Sequence, residues 1–231
     1  MDEVIGSRIV NIAMIARSST TMSKPNQLPQ DTARQRFFLA QLYTLIATMC
    51  ESGGDFMENR FRKDVWPITA KFLGSILERE ERRERKSKSL IMVVNEDREP
   101  STRTKLSDSE CHLIIAIFEC IGRVVEALPC PESIMTAICS ILLPFLETSY
   151  YGERIGAVTM TTLKRLSQMN SDVIFTQLLN LTGTNFRPLR LLGVSKGRLT
   201  VPKPSKHSFT LQIKAQELLS YVKALPEQTI E

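Results

Sequence analysis

Aromatic residues make up only 6% of the 231-residue chain, and histidine occurs twice. The two imidazoles, His112 and His207, offer little material for general acid–base chemistry. No glycine-rich phosphate loop, Gly-x-Ser-x-Gly elbow or His-Glu-x-x-His pair occurs, so the sequence points away from an enzyme and identifies no catalytic or cofactor-binding residue. Long apolar runs are missing as well. The longest nearly unbroken one, Ile134 to Leu146, contains Thr136, Ser140 and Pro144 and falls well short of the roughly 20 residues that cross a bilayer. The chain begins Met1-Asp2-Glu3, acidic where a secretory signal is basic, and the apolar run Val4 to Ala16 is interrupted by Arg8 and Asn11. Five cysteines, an odd number, are unlike the paired set of a secreted domain. These features predict an intracellular protein, cytoplasmic with the nucleus as a second compartment, and no membrane partner.

Charge of one sign is scarce in most of the chain. The total is 30 Lys and Arg against 25 Asp and Glu, a net charge of +5. Met1 to Asp172 is balanced, with 22 residues of each sign, so the whole excess lies in Val173 to Glu231. A uniformly basic nucleic-acid-binding domain is therefore disfavoured. Within the last segment, Val173 to Gln216 has no acidic residue and carries Arg187, Arg190, Lys196, Arg198, Lys203, Lys206 and Lys214. These form a candidate basic segment for an acidic protein surface. RNA or an anionic membrane fits less well, because few aromatics are present to stack bases and the loop lacks a sustained amphipathic pattern. A plain linker reading stands beside the binding one.

What the sequence does have is helical spacing almost throughout. From Ser107 to Leu128 the apolar residues Leu113, Ile114, Ile117, Phe118, Ile121, Val124, Val125 and Leu128 recur at three and four, which sets them on one stripe. Ser107 with Glu110 three residues later predicts a capping box at its start, and Pro129 and Pro131 stop it. Asp31 predicts the cap of an earlier helix with an inward stripe of Phe38, Leu42, Leu45, Ile46 and Met49, closed by Gly53-Gly54. Asp55 opens the next, with Phe61, Val65, Phe72, Ile76 and Leu77 inward and a kink or break at Trp66-Pro67. Three more helices follow: one from Pro131 with Ile134, Ile138, Ile141, Leu142, Phe145 and Leu146 inward, one over about Tyr151 to Gln168, and one over Ser171 to Leu181. A terminal helix, Phe209 to Leu225, closes the chain.

Residues 1–30 read as a flexible or partly helical amino-terminal segment, 31–182 as a helical repeat domain with an irregular insertion at about 87–106, 183–207 as a basic loop with prolines and glycines, and 208–231 as the terminal helix and tail. The expected helix starts Ser107 and Tyr151 lie 44 residues apart, and Pro131 and Ser171 lie 40 apart. Together with the run Leu142 to Leu146 and the segment Glu153 to Leu166, this spacing resembles the HEAT repeat, whose period is about 40–47 residues. The predicted fold is all-α, a HEAT-like α-solenoid of about three helix pairs plus a terminal helix, with an unrelated helical bundle as the alternative. A two-helix hairpin cannot bury both sides of its stripes alone, so each must stack on a neighbour.

The remaining candidates read as structural. Cys111, Cys120, Cys130 and Cys139 recur at intervals of 9, 10 and 9, but a step of nine on one helix turns half a circle, so Cys111 and Cys120 face opposite sides. Buried thiols are expected there, not metal ligands. His112 reads as a surface residue. The run Glu78 to Lys88 offers the i,i+4 pairs Glu78/Arg82, Glu81/Arg85 and Glu84/Lys88 on a solvated helical extension.

One segment is more specific. Gly54-Asp55-Phe56-Met57-Glu58-Asn59-Arg60-Phe61-Arg62-Lys63-Asp64-Val65-Trp66-Pro67 resembles a stretch near the carboxyl end of the Tel-two-interacting protein one family, with Gly54, Asp55, Phe56, Arg60, Phe61, Asp64, Val65 and Pro67 carrying the likeness. By its residue chemistry Asp55 can cap, Phe61 and Val65 pack inward, and Arg60 and Asp64, four apart, can pair. The resemblance implies a non-enzymatic HEAT-repeat scaffold of the Tel-two/Tti-one/Tti-two co-chaperone complex. Its partners would be Tel-two and Tti-two homologues and, through them, phosphatidylinositol-3-kinase-related kinases and the heat-shock-protein-ninety machinery. Members of that family are several times longer, which makes this chain a carboxyl-terminal part of a larger protein, a shortened gene product or a paralogue without the preceding array. A basic nucleic-acid-binding adaptor is the alternative function.

Overall fold

The computed structural model describes residues 29–91, 106–182 and 209–225. The amino-terminal segment, most of the expected insertion, and the basic loop with Arg187, Arg190, Lys196, Arg198, Lys203 and Lys206 lie outside them, as does His207. The described residues form helices and no strand. In chain order they are α1 (Pro29–Gly53), α2 (Asp55–Arg60), a π-helical turn (Phe61–Val65), α3 (Trp66–Ile91), α4 (Asp108–Ala127), α5 (Glu132–Leu142), a 3-10 turn (Leu143–Leu146), α6 (Thr148–Tyr151), α7 (Glu153–Met169), α8 (Ser171–Thr182) and α9 (Phe209–Lys223).

α1, α4 and α7 lie side by side in one layer, while α3, α5 and α8 follow one another in a second. α9 closes the array against α7 and α8. The starts of α4 and α7 are 45 residues apart and those of α5 and α8 are 39 apart, so the helix-pair period expected from the sequence organises the fold. One apolar core runs through all the pairs.

α4 is the central element. Its eight predicted stripe residues are all buried. The capping box forms: the Glu110 N–H donates to Ser107 Oγ at 3.3 Å and the Ser107 N–H donates to Glu110 Oε2 at 3.0 Å. At the α4–α7 contact, Phe118 meets Phe145 edge to face with ring centroids 5.1 Å apart, and Thr162 Oγ1 donates across to the Phe118 carbonyl at 3.1 Å. The Arg165–Glu126 pair at 3.3 Å marks the solvent edge of the same contact. α6 comes so close to α7 that a Cβ on Gly156 would strike the Thr148 methyl and force that side chain to move.

Several local expectations are corrected. The buried side of α1 is Leu39, Ala40, Tyr43, Ile46, Ala47 and Cys50; of the predicted stripe only Ile46 is buried, Leu42 and Met49 are half-buried, and Phe38 and Leu45 are about half exposed. The helix is apolar on two sides, and packing against α3 and α4 chose one of them. Tyr43 is fixed there by a 2.8 Å hydrogen bond between its hydroxyl and Thr69 Oγ1, and burial raises its pKa. Residues 87–91, expected as the start of an irregular segment, continue α3. Pro144 ends α5 in the 3-10 turn, because it has no N–H to donate, and α7 begins at Glu153 after Gly152 (φ +87°) instead of at Tyr151.

Candidate functional site

The predicted family-like motif forms the hairpin from α1 into α3. Gly54 has φ +49° and ψ −137°, a backbone conformation that side-chain-bearing residues rarely adopt. Replacing it with alanine is expected to cost about 1–2 kcal/mol through strain alone, since a Cβ there meets no atom within 4 Å; urea denaturation measures the loss. Asp55 does not cap α2. Gly54 holds the N-cap position without a side-chain hydrogen bond, and Asp55 is the first helical residue, where with Glu58 it places negative charge at the positive end of the helix dipole.

Phe61 and Val65 are buried as expected, and Met57 and Trp66 join them. Pro67 does not break the helix. The proline ring would clash with the carbonyl four residues back, and the chain absorbs this by widening into the π turn, in which the Trp66 N–H donates to the Phe61 carbonyl. Arg60 does not pair with Asp64. Long side chains on a helix point back toward its start, so Arg60 instead lies over the Phe56 ring, 4.9 Å from the centroid, and Arg62 reaches Asn59 at 3.0 Å. The motif thus presents the half-exposed Phe56 and its arginine on the outside of the hairpin while Met57, Phe61, Val65 and Trp66 anchor it.

The strongest electrostatic feature is a node that ties three helices together. Glu110 is 8% exposed and accepts from Arg79 Nη1 of α3 at 2.8 Å and from Arg36 Nη2 of α1 at 3.2 Å. Burial alone raises the pKa of this carboxyl, but Arg79, the Ser107 N–H and Arg36 together outweigh it and hold it below the ordinary glutamate range. Glu110 was legible in the sequence only as half of a capping box. The two arginines lie 74 and 31 residues away, and no local pattern signals them. A second tie joins α1 to α4 where Arg123 Nε and Nη2 donate to the two carboxylate oxygens of Glu51, each at 2.6 Å.

The other sequence candidates are dispersed. Cys50, Cys120 and Cys139 are buried, Cys111 and Cys130 half-buried. Burial raises the thiol pKa values of Cys50 and Cys130 to about 11 and those of Cys120 and Cys139 further. No group of three or more potential metal ligands occurs among the described residues. His112 is exposed, with its ring 5.2 Å from that of Phe37. Arg82 pairs with Glu78 at 3.3 Å as predicted, while the side chains of Glu81, Glu84, Arg85 and Lys88 lie outside the described set. Lys214, the one described member of the basic segment, sits on α9 beside Glu217 at 3.3 Å. No helix among the described residues is long and apolar enough to cross a membrane.

The family model described as the TTI1 C-terminal TPR domain matches residues 32–175, which include the whole Gly54–Pro67 hairpin. The TPR repeat is a helical hairpin of about 34 residues, and the hairpins here recur at 39 and 45, so the shared architecture is a stack of helix pairs with a longer step. No curated protein and no solved structure matches the chain.

Proposed function

The chain belongs to the family of the TTI1 C-terminal TPR domain, and on that premise we propose that it is a non-enzymatic scaffold for the maturation and stability of phosphatidylinositol-3-kinase-related kinases. In this reading it works in the cytoplasm and nucleus as part of a co-chaperone assembly with Tel-two and Tti-two homologues, which connects client kinases to the heat-shock-protein-ninety machinery. The family match over residues 32–175 carries the proposal. A stack of helix pairs suits the role, because it exposes long faces that recognise partners by shape.

Affinity purification of the tagged chain from its own cells is expected to recover Tel-two and Tti-two homologues, and depleting the chain to lower the steady-state level of the kinases at least several-fold. Recovery of neither homologue overturns the proposal. The basic segment Arg187 to Lys214 is assigned to an acidic partner surface within the same assembly. Reversing the charge of Arg187, Arg190, Lys196 and Arg198 together is expected to weaken partner recovery without changing the melting temperature.

A further inference from the structure

The hairpin from α1 into α3 turns one continuous side to solvent. Its buried line, Met57, Phe61, Val65, Thr69 and Leu73, advances in steps of four. Each such step over-rotates a straight α-helix by about 40°, and the wider π turn at Phe61–Val65 takes part of that back, so the line stays on one side. The opposite side carries an outer row, Phe56, Arg60, Lys63, Pro67 and Lys71, in steps of four, three, four and four. Phe56 is 45% exposed, Lys63, Pro67 and Lys71 are exposed, and the half-buried Arg60 lies over the Phe56 ring. The one acid on this side is Asp64, half-buried. Among the described residues none of Arg60, Lys63, Asp64 and Lys71 enters an ion pair, whereas Arg62, on the flank, pairs with Glu58 at 3.9 Å. The ties between helices use Arg36, Arg79, Arg123 and Arg165, each facing a carboxylate, so the three cations of the row take no part in holding the fold.

We propose that this row is a docking site for an acidic peptide segment of another protein, one that carries an aromatic side chain beside its carboxylates. Three cations stand against one acid, and nothing within the chain neutralises them, so the local field favours an anionic partner. Phe56 with Arg60 across its face makes an apolar platform that a second aromatic ring can cover, and side chains of these two kinds are the ones that anchor interfaces. Arg60 and Lys71 lie about 16 Å apart along the helix, the reach of about five extended residues, so one short segment can touch the whole row. Asp64 decides the class of partner. A continuous phosphate backbone laid along the row would run against that carboxylate, whereas a peptide places its charges one at a time. The site is separate from the basic segment Arg187 to Lys214 and does not depend on the co-chaperone reading.

Amide NMR of the full chain, titrated with the end-capped peptide Trp-Asp-Glu-Ser-Asp-Glu, tests this. Saturable shifts are expected at residues 56–71. The Lys63→Glu/Lys71→Glu double variant is expected to weaken that binding about tenfold and Phe56→Ala about threefold, both with an unchanged melting temperature, because the three side chains are exposed. Lys63→Arg/Lys71→Arg keeps the charge and is expected to bind as the parent chain does. No shift at residues 56–71, or shifts confined to residues 187–214, would overturn the proposal, the second by giving the acid to the basic segment. Equal binding of the uncharged peptide Trp-Asn-Gln-Ser-Asn-Gln would overturn it by removing charge from the recognition. Larger shifts at the same amides with a short oligothymidylate would overturn it in favour of a nucleic acid.

Discussion

Truncating Phe118 to alanine is expected to destabilise the array by about 3–5 kcal/mol, the usual range for removing a fully buried aromatic side chain. The residue is 0% exposed and sits where α4 meets α7 and the turn after α5. Its edge-to-face contact with Phe145 is lost, and Phe145 in turn packs on Tyr151 at 4.6 Å, so the void opens at the junction of two helix pairs. In a stack held by nearest-neighbour contacts, weakening one junction lets the pairs on either side separate. Urea denaturation followed by circular dichroism should therefore show a lower midpoint and a broader transition. The conservative Phe118→Leu variant should recover more than half of the loss. A change below about 1 kcal/mol would mean that the site collapses around the smaller side chain.

Glu110→Ala should cost about 2–3 kcal/mol at neutral pH. Breaking a buried charge pair typically costs more, about 3–5 kcal/mol, but Arg36 and Arg79 keep 28% and 37% side-chain exposure, and water reclaims part of their solvation. The loss combines the helix cap with the tie between α1, α3 and α4. Its pH dependence has a definite sign. The folded-state pKa of Glu110 is below the ordinary value of 4.5, so the carboxylate contributes its full stabilisation above the unfolded-state value. That contribution is lost as pH falls from about 4.5 through the lower folded-state value. Glu110→Gln keeps an acceptor for the Ser107 N–H but carries no charge, so the stability gap between it and the parent chain should close across that acidic window. A gap that stays constant down to pH 3 would show that shape, not charge, is what Glu110 supplies.

How legible each element was depends on whether its determinants are local. α4 could be read in full, because Ser107, Glu110, Pro129 and Pro131 bracket a single stripe and all eight stripe residues are buried. α1 could be read as a helix but not as an oriented one. Its run Phe37 to Cys50 carries two stripes, and only the neighbouring helices select Leu39, Tyr43, Ile46 and Cys50 over Phe38 and Leu45. The motif Gly54 to Pro67 could be read as a hairpin. The π turn and the placement of Arg60 over Phe56 could not, since they follow from how the helix accommodates Pro67 and from the direction in which side chains lean.

Sequence by itself determined the helices, their pairing period, the cap of α4 and the family, all of which rest on residues within a few turns of one another or on a pattern repeated along the chain. Tertiary structure alone decided which side of α1 is buried, with Phe38 and Leu45 left about half exposed, that Arg36 and Arg79 converge on Glu110, and that α9 closes one end of the stack. The physical reason is common to all three. A helix advertises its apolar stripes locally, but which stripe is buried, and which charge meets which, is settled by contacts between residues tens of positions apart.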